Sequence, residues 1–299
     1  MTTADERLGR PPVDLLWILA HPDDETFGSA GTMAWASERG LRTAYVCATR
    51  GEAGMIRDNE IATQETLGAV REQELRAAVS LVGLGELRML GFRDSGMENT
   101  PDNDDPRALI QQPDDAILAH FVGHIRDLRP TTVLTFGPEG IYGHPDHIFV
   151  GRLASRAVEL AADPAYLPRL QEPWRAAALY HGAVPREMML AMAEAPEQPL
   201  GEISEQSRQN LGTPDDLITH RLDISPWLPL KRRAIAAHRT QTAGREGGES
   251  PEETAAVEAG ASLEYYVRRP LPWDLDMTAD DTLTRARAEI GVGKAQHAG

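Results

Sequence analysis

The sequence holds a single cysteine, Cys47, among 299 residues. No internal disulfide can form, so a reducing compartment, the cytoplasm, is the default expectation, and a cysteine-built structural metal site is excluded. Cys47 lies in the apolar run Ala44-Tyr45-Val46-Cys47-Ala48 and reads as a buried thiol, not a nucleophile. No stretch of about 18 apolar residues occurs, so no transmembrane helix is expected. Met1-Thr2-Thr3-Ala4-Asp5-Glu6-Arg7 lacks the apolar centre of a signal peptide and reads as a short arm. Basic residues are in the minority, 30 Lys and Arg against 46 Asp and Glu, for a formal net charge of −16. Such a chain is a poor partner for nucleic acid or an anionic membrane, because both need clustered cations. A neutral or cationic small molecule fits better. The phosphate-cradling G-x-G-x-x-G turn is also missing: Gly28-Ser29-Ala30-Gly31 comes too late after the first apolar run. A dinucleotide site is therefore disfavoured.

What is present is alternation. Strand-like runs at 13–20, 41–48, 87–92, 131–136 and 176–184 are separated by helix-like runs at 28–39, 63–82, 113–128 and 146–161. That order predicts an α/β fold: a doubly wound, Rossmann-like, mostly parallel sheet with helices on both faces. Further on, the pattern predicts helices at 186–194 and 226–240 and strands at 219–224 and 265–269. We expect one domain over 1–299, with a core at about 13–184, a C-terminal extension to about 275 and a loosely attached tail at 276–299. The segments 98–106 and 243–251 read as loops. The methionines Met188, Met189 and Met192 read as packing. Nothing in the sequence opposes a homo-oligomer.

Two polar clusters each follow a predicted strand. The first is His21-Pro22-Asp23-Asp24, the second Gly140-Ile141-Tyr142-Gly143-His144-Pro145-Asp146-His147. In open α/β sheets ligands bind beyond the carboxyl ends of strands, at the point where strand order reverses. The first and fourth strands flank that point, so His21, Asp23, Asp24, His144, Asp146 and His147 can share one crevice. One His-Pro-Asp after a strand is ordinarily a turn with a capping aspartate. Two such turns on one rim point to a metal. A His, Asp, His ligand set with an open position is the pattern of a catalytic zinc, with Fe2+ the rival.

The motifs "AHPDDE" and "GIYGHPDH", with "TRGEAG" at 49–54, "GFRDSGM" at 91–97 and "KRRAIAAHRTQ" at 231–241, resemble the PIG-L or LmbE-like family of zinc de-N-acetylases. The resemblance spans roughly 14–242. It implies a Zn2+-dependent hydrolase that removes acetyl from an N-acetylglucosamine-type sugar conjugate, or else an amidase acting on a larger thiol conjugate; a metal-dependent binding protein is the non-enzymatic alternative. It implies His21, Asp24 and His147 as metal ligands and Asp23 as general base. It implies His144 as general acid or electrostatic group, oriented and made more basic by Asp146, and Tyr142 as support for the oxyanion. Arg71 and Asp94 match positions that contact the sugar; from the residues alone, Arg71 could equally pair with Glu52 or Glu74. His238 reads as a hydrogen-bonding structural residue. Phe27 and Gly28 depart from the polar residues or lysine common in relatives, so the pocket wall differs there.

Overall fold

Five short apolar strands form the parallel part of the sheet: β1 (Leu15–Leu19), β2 (Thr43–Thr49), β3 (Glu86–Phe92), β4 (Thr132–Phe136) and β5 (Ala178–Ala183). Every residue of β1, β2 and β4 is buried. Such continuous burial, instead of alternation, is what helices on both faces of a parallel sheet produce. The computed structural model describes residues 11–57, 59–194, 208–242, 262–274 and 281–290. The strand order is β3-β2-β1-β4-β5-β7-β6, so β1 and β4 are neighbours, in register from Leu15 opposite Thr132. This is the reversal point, and the two polar clusters leave the sheet side by side there.

The helices are α1 (Asp24–Glu38), α2 (Leu67–Leu81), α3 (Asp114–Leu128) and α4 (Pro145–Ala162), followed by α5 (Arg186–Glu194), α6 (Leu228–Ala237) and α7 (Thr282–Ile290). Helices α1, α2 and α6 pack together, and α3 packs on α4, which covers both sides of the sheet. Helix α1 begins four residues before the expected position 28. Asp24 and Glu25 occupy its first turn, where carboxylates complement the helix dipole. Because ten of the fifteen residues of α1 are buried, its sequence lacks the one-sided periodicity that marks a surface helix.

The C-terminal extension continues the same sheet. Strand β7 (Leu263–Arg269) runs antiparallel to β5, and β6 (His220–Asp223) antiparallel to β7. One side chain fastens this part to α1. Glu264, 2% exposed, accepts from Gly31 N (2.9 Å), Thr32 N (2.8 Å), Thr32 Oγ1 (2.6 Å) and Lys231 Nζ (2.9 Å). A buried carboxylate is tolerable only when so satisfied. Residue 31 must be glycine, since the Ile224 side chain occupies the space that a Cβ would need.

The tail expected at 276–299 is not loose throughout. Residues 282–290 form α7, with Leu283 and Ala286 fully buried against the core. Asp281 caps it, accepting from Leu283 N (2.9 Å) and Thr284 N (3.1 Å), and also accepts from the Tyr180 hydroxyl at 2.8 Å. The segment was overlooked because its average hydrophobicity is low: charged and polar residues flank a narrow stripe of small apolar ones. The segment 243–251 lies outside the described residues.

Two buried histidines give the fold an acid limit. Burial pushes His181 down to about 3, with Arg269 adding to it, and His220 down to about 4. On unfolding each returns to roughly 6.5 and takes up a proton as pH falls. Their contribution is therefore intact above about pH 6.5 and is lost progressively towards pH 4, by up to about 1.4 kcal/mol per pH unit for each. We expect the thermal midpoint to fall between pH 7 and pH 5, and His181→Gln to flatten that slope. A midpoint independent of pH in wild type would contradict the assignment.

Candidate metal centre

The first elbow is built by Asp24. Its Oδ2 accepts from Ala20 N (3.2 Å) and His21 N (2.7 Å), folding the chain back after β1. The turn forces Asp23 to φ 120°, ψ −25°, a region non-glycine residues seldom occupy, at a cost of order 1–3 kcal/mol. Two contacts hold it there. Asp23 N donates to Glu25 Oε2 at 3.0 Å, and the Asp23 carboxylate pairs with Arg71 at 3.0 Å. Arg71 also donates to Pro22 O (2.6 Å) and Gly51 O (2.9 Å). The "TRGEAG" loop needs its glycines for this reason: the Arg71 guanidinium lies where a Cβ on Gly51 or Gly54 would sit.

The second elbow follows β4. A short helical turn, Gly140–Gly143, carries Ile141 at φ 65° and delivers His144 as the N-cap of α4, with Pro145 at the first helical position. The His144 ring takes the capping role: its Nδ1 accepts from Asp146 N at 3.2 Å. His147 stacks on Phe136, ring centroids 4.1 Å apart, and its Nδ1–H donates to Gly140 O at 3.2 Å. A carbonyl can only accept, so Nδ1 carries a proton, and in the neutral ring Nε2 is the nitrogen that offers a lone pair.

The elbows meet. His21 Nδ1 lies 3.1 Å from His147 Nε2, and Asp24 carboxylate oxygens lie 3.2 Å from His147 Nε2 and 3.7 Å from His21 Nδ1. On its far side His21 Nε2 faces Asp146 Oδ2 at 3.1 Å and Asp94 Oδ1 at 3.4 Å. A ring that offers one nitrogen inward while the other meets a carboxylate is how metal-binding histidines are oriented. The donor set fits a cation in charge as well. Asp23, Asp24, Asp94 and Asp146 crowd one site against the single guanidinium of Arg71. Ligand atoms of His21, His144 and His147 lie within 4.8 Å of one another, as do those of His21, Asp94 and Asp146. The electrostatics carry the same demand for positive charge. Burial opposes ionisation, yet His147 and His21 hold Asp24 well below the usual carboxylate range, and His21 and His144 do so for Asp94. His144 is lowered, by burial first and then by His21 and His147.

Three expected roles change. Asp146 does not orient His144 through its carboxylate. At the second position of α4 that carboxylate points instead to Ser95, accepting from Ser95 N (2.9 Å) and Oγ (2.5 Å), and to His21. It therefore cannot raise the basicity of His144. Arg71 does not pair with Glu52 or Glu74; it is 3% exposed and clamps Asp23. Asp94, also 3% exposed, faces His21 and accepts from Gly96 N at 2.8 Å. The Tyr142 ring lies edge-on to His147 and His144 at centroid distances of 5.1 and 6.0 Å. Ser95 was overlooked, although it stands beside Asp94 in the "GFRDSGM" run. Phe27 and Gly28 are exposed. A small chamber of about 30 Å3 lies against Asp24, walled by Leu19, Phe136, Ile141 and Val184. A larger cavity of about 460 Å3, with Glu52, Arg93, Arg107 and Gln112 among its walls, lies beyond the end of β3.

Sheet and cluster together define the class: an α/β protein with a buried rim site able to hold a metal ion. Residues 16–158 match the family model described as PIG-L, GlcNAc-PI de-N-acetylase. A 1D-myo-inositol 2-acetamido-2-deoxy-alpha-D-glucopyranoside deacetylase from Geodermatophilus obscurus is 38% identical over 245 residues, covering 77% of this chain and 83% of that protein. An enzyme of the same description from Thermomonospora curvata is 37% identical over 239 residues, covering 76% and 80%. In three dimensions the chain resembles N,N'-diacetylchitobiose deacetylase from Pyrococcus horikoshii, with TM-score 0.59, 19% identity and coverage of 86% and 84%, a likeness of fold. On these matches the chain belongs to the PIG-L family of deacetylases. No helix among the described residues is long and apolar enough to cross a membrane.

Proposed function

We propose that the chain hydrolyses the acetamide of a 2-acetamido-2-deoxyglucose unit joined to a polyol, releasing acetate and the free amine. The observation that carries this reading is the convergence of His21, Asp24 and His147 beside the constrained carboxylate of Asp23. In family it agrees with relatives named for that reaction. Those three residues would hold Zn2+, or Fe2+, for which two imidazoles and a carboxylate are equally suitable. Such an ion supplies Lewis acidity, making a nearby water more acidic and the amide carbonyl more electrophilic.

The chain's own groups do the rest. Asp23 takes a proton from the attacking water, with Arg71 fixing the direction of its carboxylate. As the carbonyl carbon becomes tetrahedral, negative charge develops on its oxygen. Two donors stand near: the Tyr142 hydroxyl and His144. Because His144 Nδ1 accepts from Asp146 N, the neutral ring carries its proton on Nε2. That Nε2–H can donate a hydrogen bond to the oxyanion but is far too weak an acid to give its proton away. Of the two roles implied for His144, the geometry thus favours the electrostatic one. The proton held by Asp23 then goes to the departing nitrogen, which closes the proton balance.

The acetyl reading is favoured over a bulky amide by the relatives named as deacetylases of a 2-acetamido sugar. Acetate and amine release should be measured on the acetamido sugar–polyol and its N-propionyl and bulkier N-acyl analogues. We expect kcat/KM to fall about 10–200-fold on adding one methylene, the range a tight apolar pocket gives. Equal or faster turnover of the bulky amides would replace this reading with that of a larger-conjugate amidase.

A further inference from the structure

We infer that His238 is a positioning residue for the reaction, acting through Glu25 to hold Asp23 in its working conformation. The inference rests on the reading of Asp23 as base. The Asp23 carbonyl is held by Thr26 and Phe27 of α1, and the N–H side of this strained residue is held by Glu25 Oε2 at 3.0 Å. Glu25 is fully buried, and its orientation is set by its other oxygen, Oε1, which meets His238 Nε2 at 2.9 Å. His238 is likewise fully buried.

Two further observations turn this contact into a device. The His238 ring is used on one side only, because Nδ1 is buried with no hydrogen-bond partner among the described residues. The same short segment also reaches the second support of Asp23. Thr240 donates to Glu74 from N (2.8 Å) and Oγ1 (2.6 Å), and Glu74 sits on α2 three residues after Arg71, which clamps the Asp23 carboxylate. The stretch at the end of α6 thus meets Glu25, which holds the Asp23 N–H, and is tied to α2, the helix that carries Arg71. It lies 80 residues beyond the last residue that the family model matches, 158 against 238, so the matched segment does not contain it.

The test uses the full chain, metal-loaded, with His238→Leu, His238→Gln, Asp23→Asn and the double variant Asp23→Asn/His238→Leu. Glutamine places an amide N–H near the position of imidazole Nε2; leucine removes the donor. We expect His238→Leu to lower kcat about tenfold, as loss of an orienting partner does, with KM and metal content unchanged. His238→Gln should recover most of that loss. In the Asp23→Asn background His238→Leu should cost nothing further, because its effect passes through Asp23. If the leucine chain does not fold, His238→Asn, polar but too short to reach Glu25, must show the same kcat loss. An unchanged kcat in folded His238→Leu overturns the inference, as does a loss that glutamine fails to recover or that adds fully to Asp23→Asn. If Asp23→Asn alone is fully active, the reading of the base has failed instead.

Discussion

His147→Ala should leave a folded chain that no longer retains its metal, and acetate release should fall by more than the ~10–100-fold typical of losing an outer-shell partner. The His147 ring is held by its stack on Phe136 and its Nδ1–H bond to Gly140 O, so Nε2 is aimed before any ion arrives. Without it, Asp24 and His21 Nδ1 face each other with no third donor, and two ligands do not close a site. Three measurements check this. Metal analysis should give close to one ion per wild-type chain and far less in the variant. A chelator should abolish wild-type activity, and adding Zn2+ or Fe2+ should restore it, which also ranks the two metals. The chelator should lower the thermal midpoint of wild type, because an ion bound only to the folded state stabilises it by about 4.1 kcal/mol at a thousandfold excess over Kd. It should leave the variant's midpoint where it was. Full metal occupancy in His147→Ala would show that His144 takes over, since its ring shares the cluster with His21.

How much of this was readable in the chain depends on the kind of interaction. Alternating apolar runs report a local period, so the strands and the helices between them fall within a few residues of their predicted places. The two elbows were readable too, because each joins chemistry-bearing residues to the end of a strand, and topology then brings the strand ends together. Pairings between distant polar atoms were not readable. The partners of Asp146 are Ser95 and His21, 51 and 125 residues away, and nothing in the "GHPDH" run says which it will meet. Arg71 offered its neighbours Glu74 and Glu52 as partners, yet it pairs with Asp23 because α2 lies across the first elbow. Glu264 and His238 illustrate the same limit. Each is a polar residue in an otherwise ordinary strand or helix end, and each is buried only because a distant backbone N–H or carboxylate needs it. Helix α7 was hidden for a different reason: Leu283 and Ala286 are too small a stripe to outweigh the charges around them.

Asp23→Asn separates base chemistry from everything else the site does. Asparagine has the same shape, keeps an oxygen for the Arg71 guanidinium and tolerates unusual φ values about as well as aspartate, so the first elbow should stay intact. His21, Asp24 and His147 are untouched, so metal content should match wild type. What is lost is the ability to accept a proton from water and return it to the leaving nitrogen. General-base contributions of about 10²–10⁴-fold set the expected fall in kcat, with KM little changed because the amide binds without needing that proton transfer. Stability should move the other way. Asp23 is pushed up by burial and by the neighbouring Asp24, with Arg71 opposing, so a negative charge there is costly to the fold. Neutralising it should hold the thermal midpoint level or raise it, the usual relation between a constrained catalytic group and its scaffold. A variant with wild-type kcat and full metal content would remove Asp23 from the chemistry. A variant that loses metal would instead show that the first aspartate of the motif supports the ligand set, and the proton would then need another acceptor in the cluster.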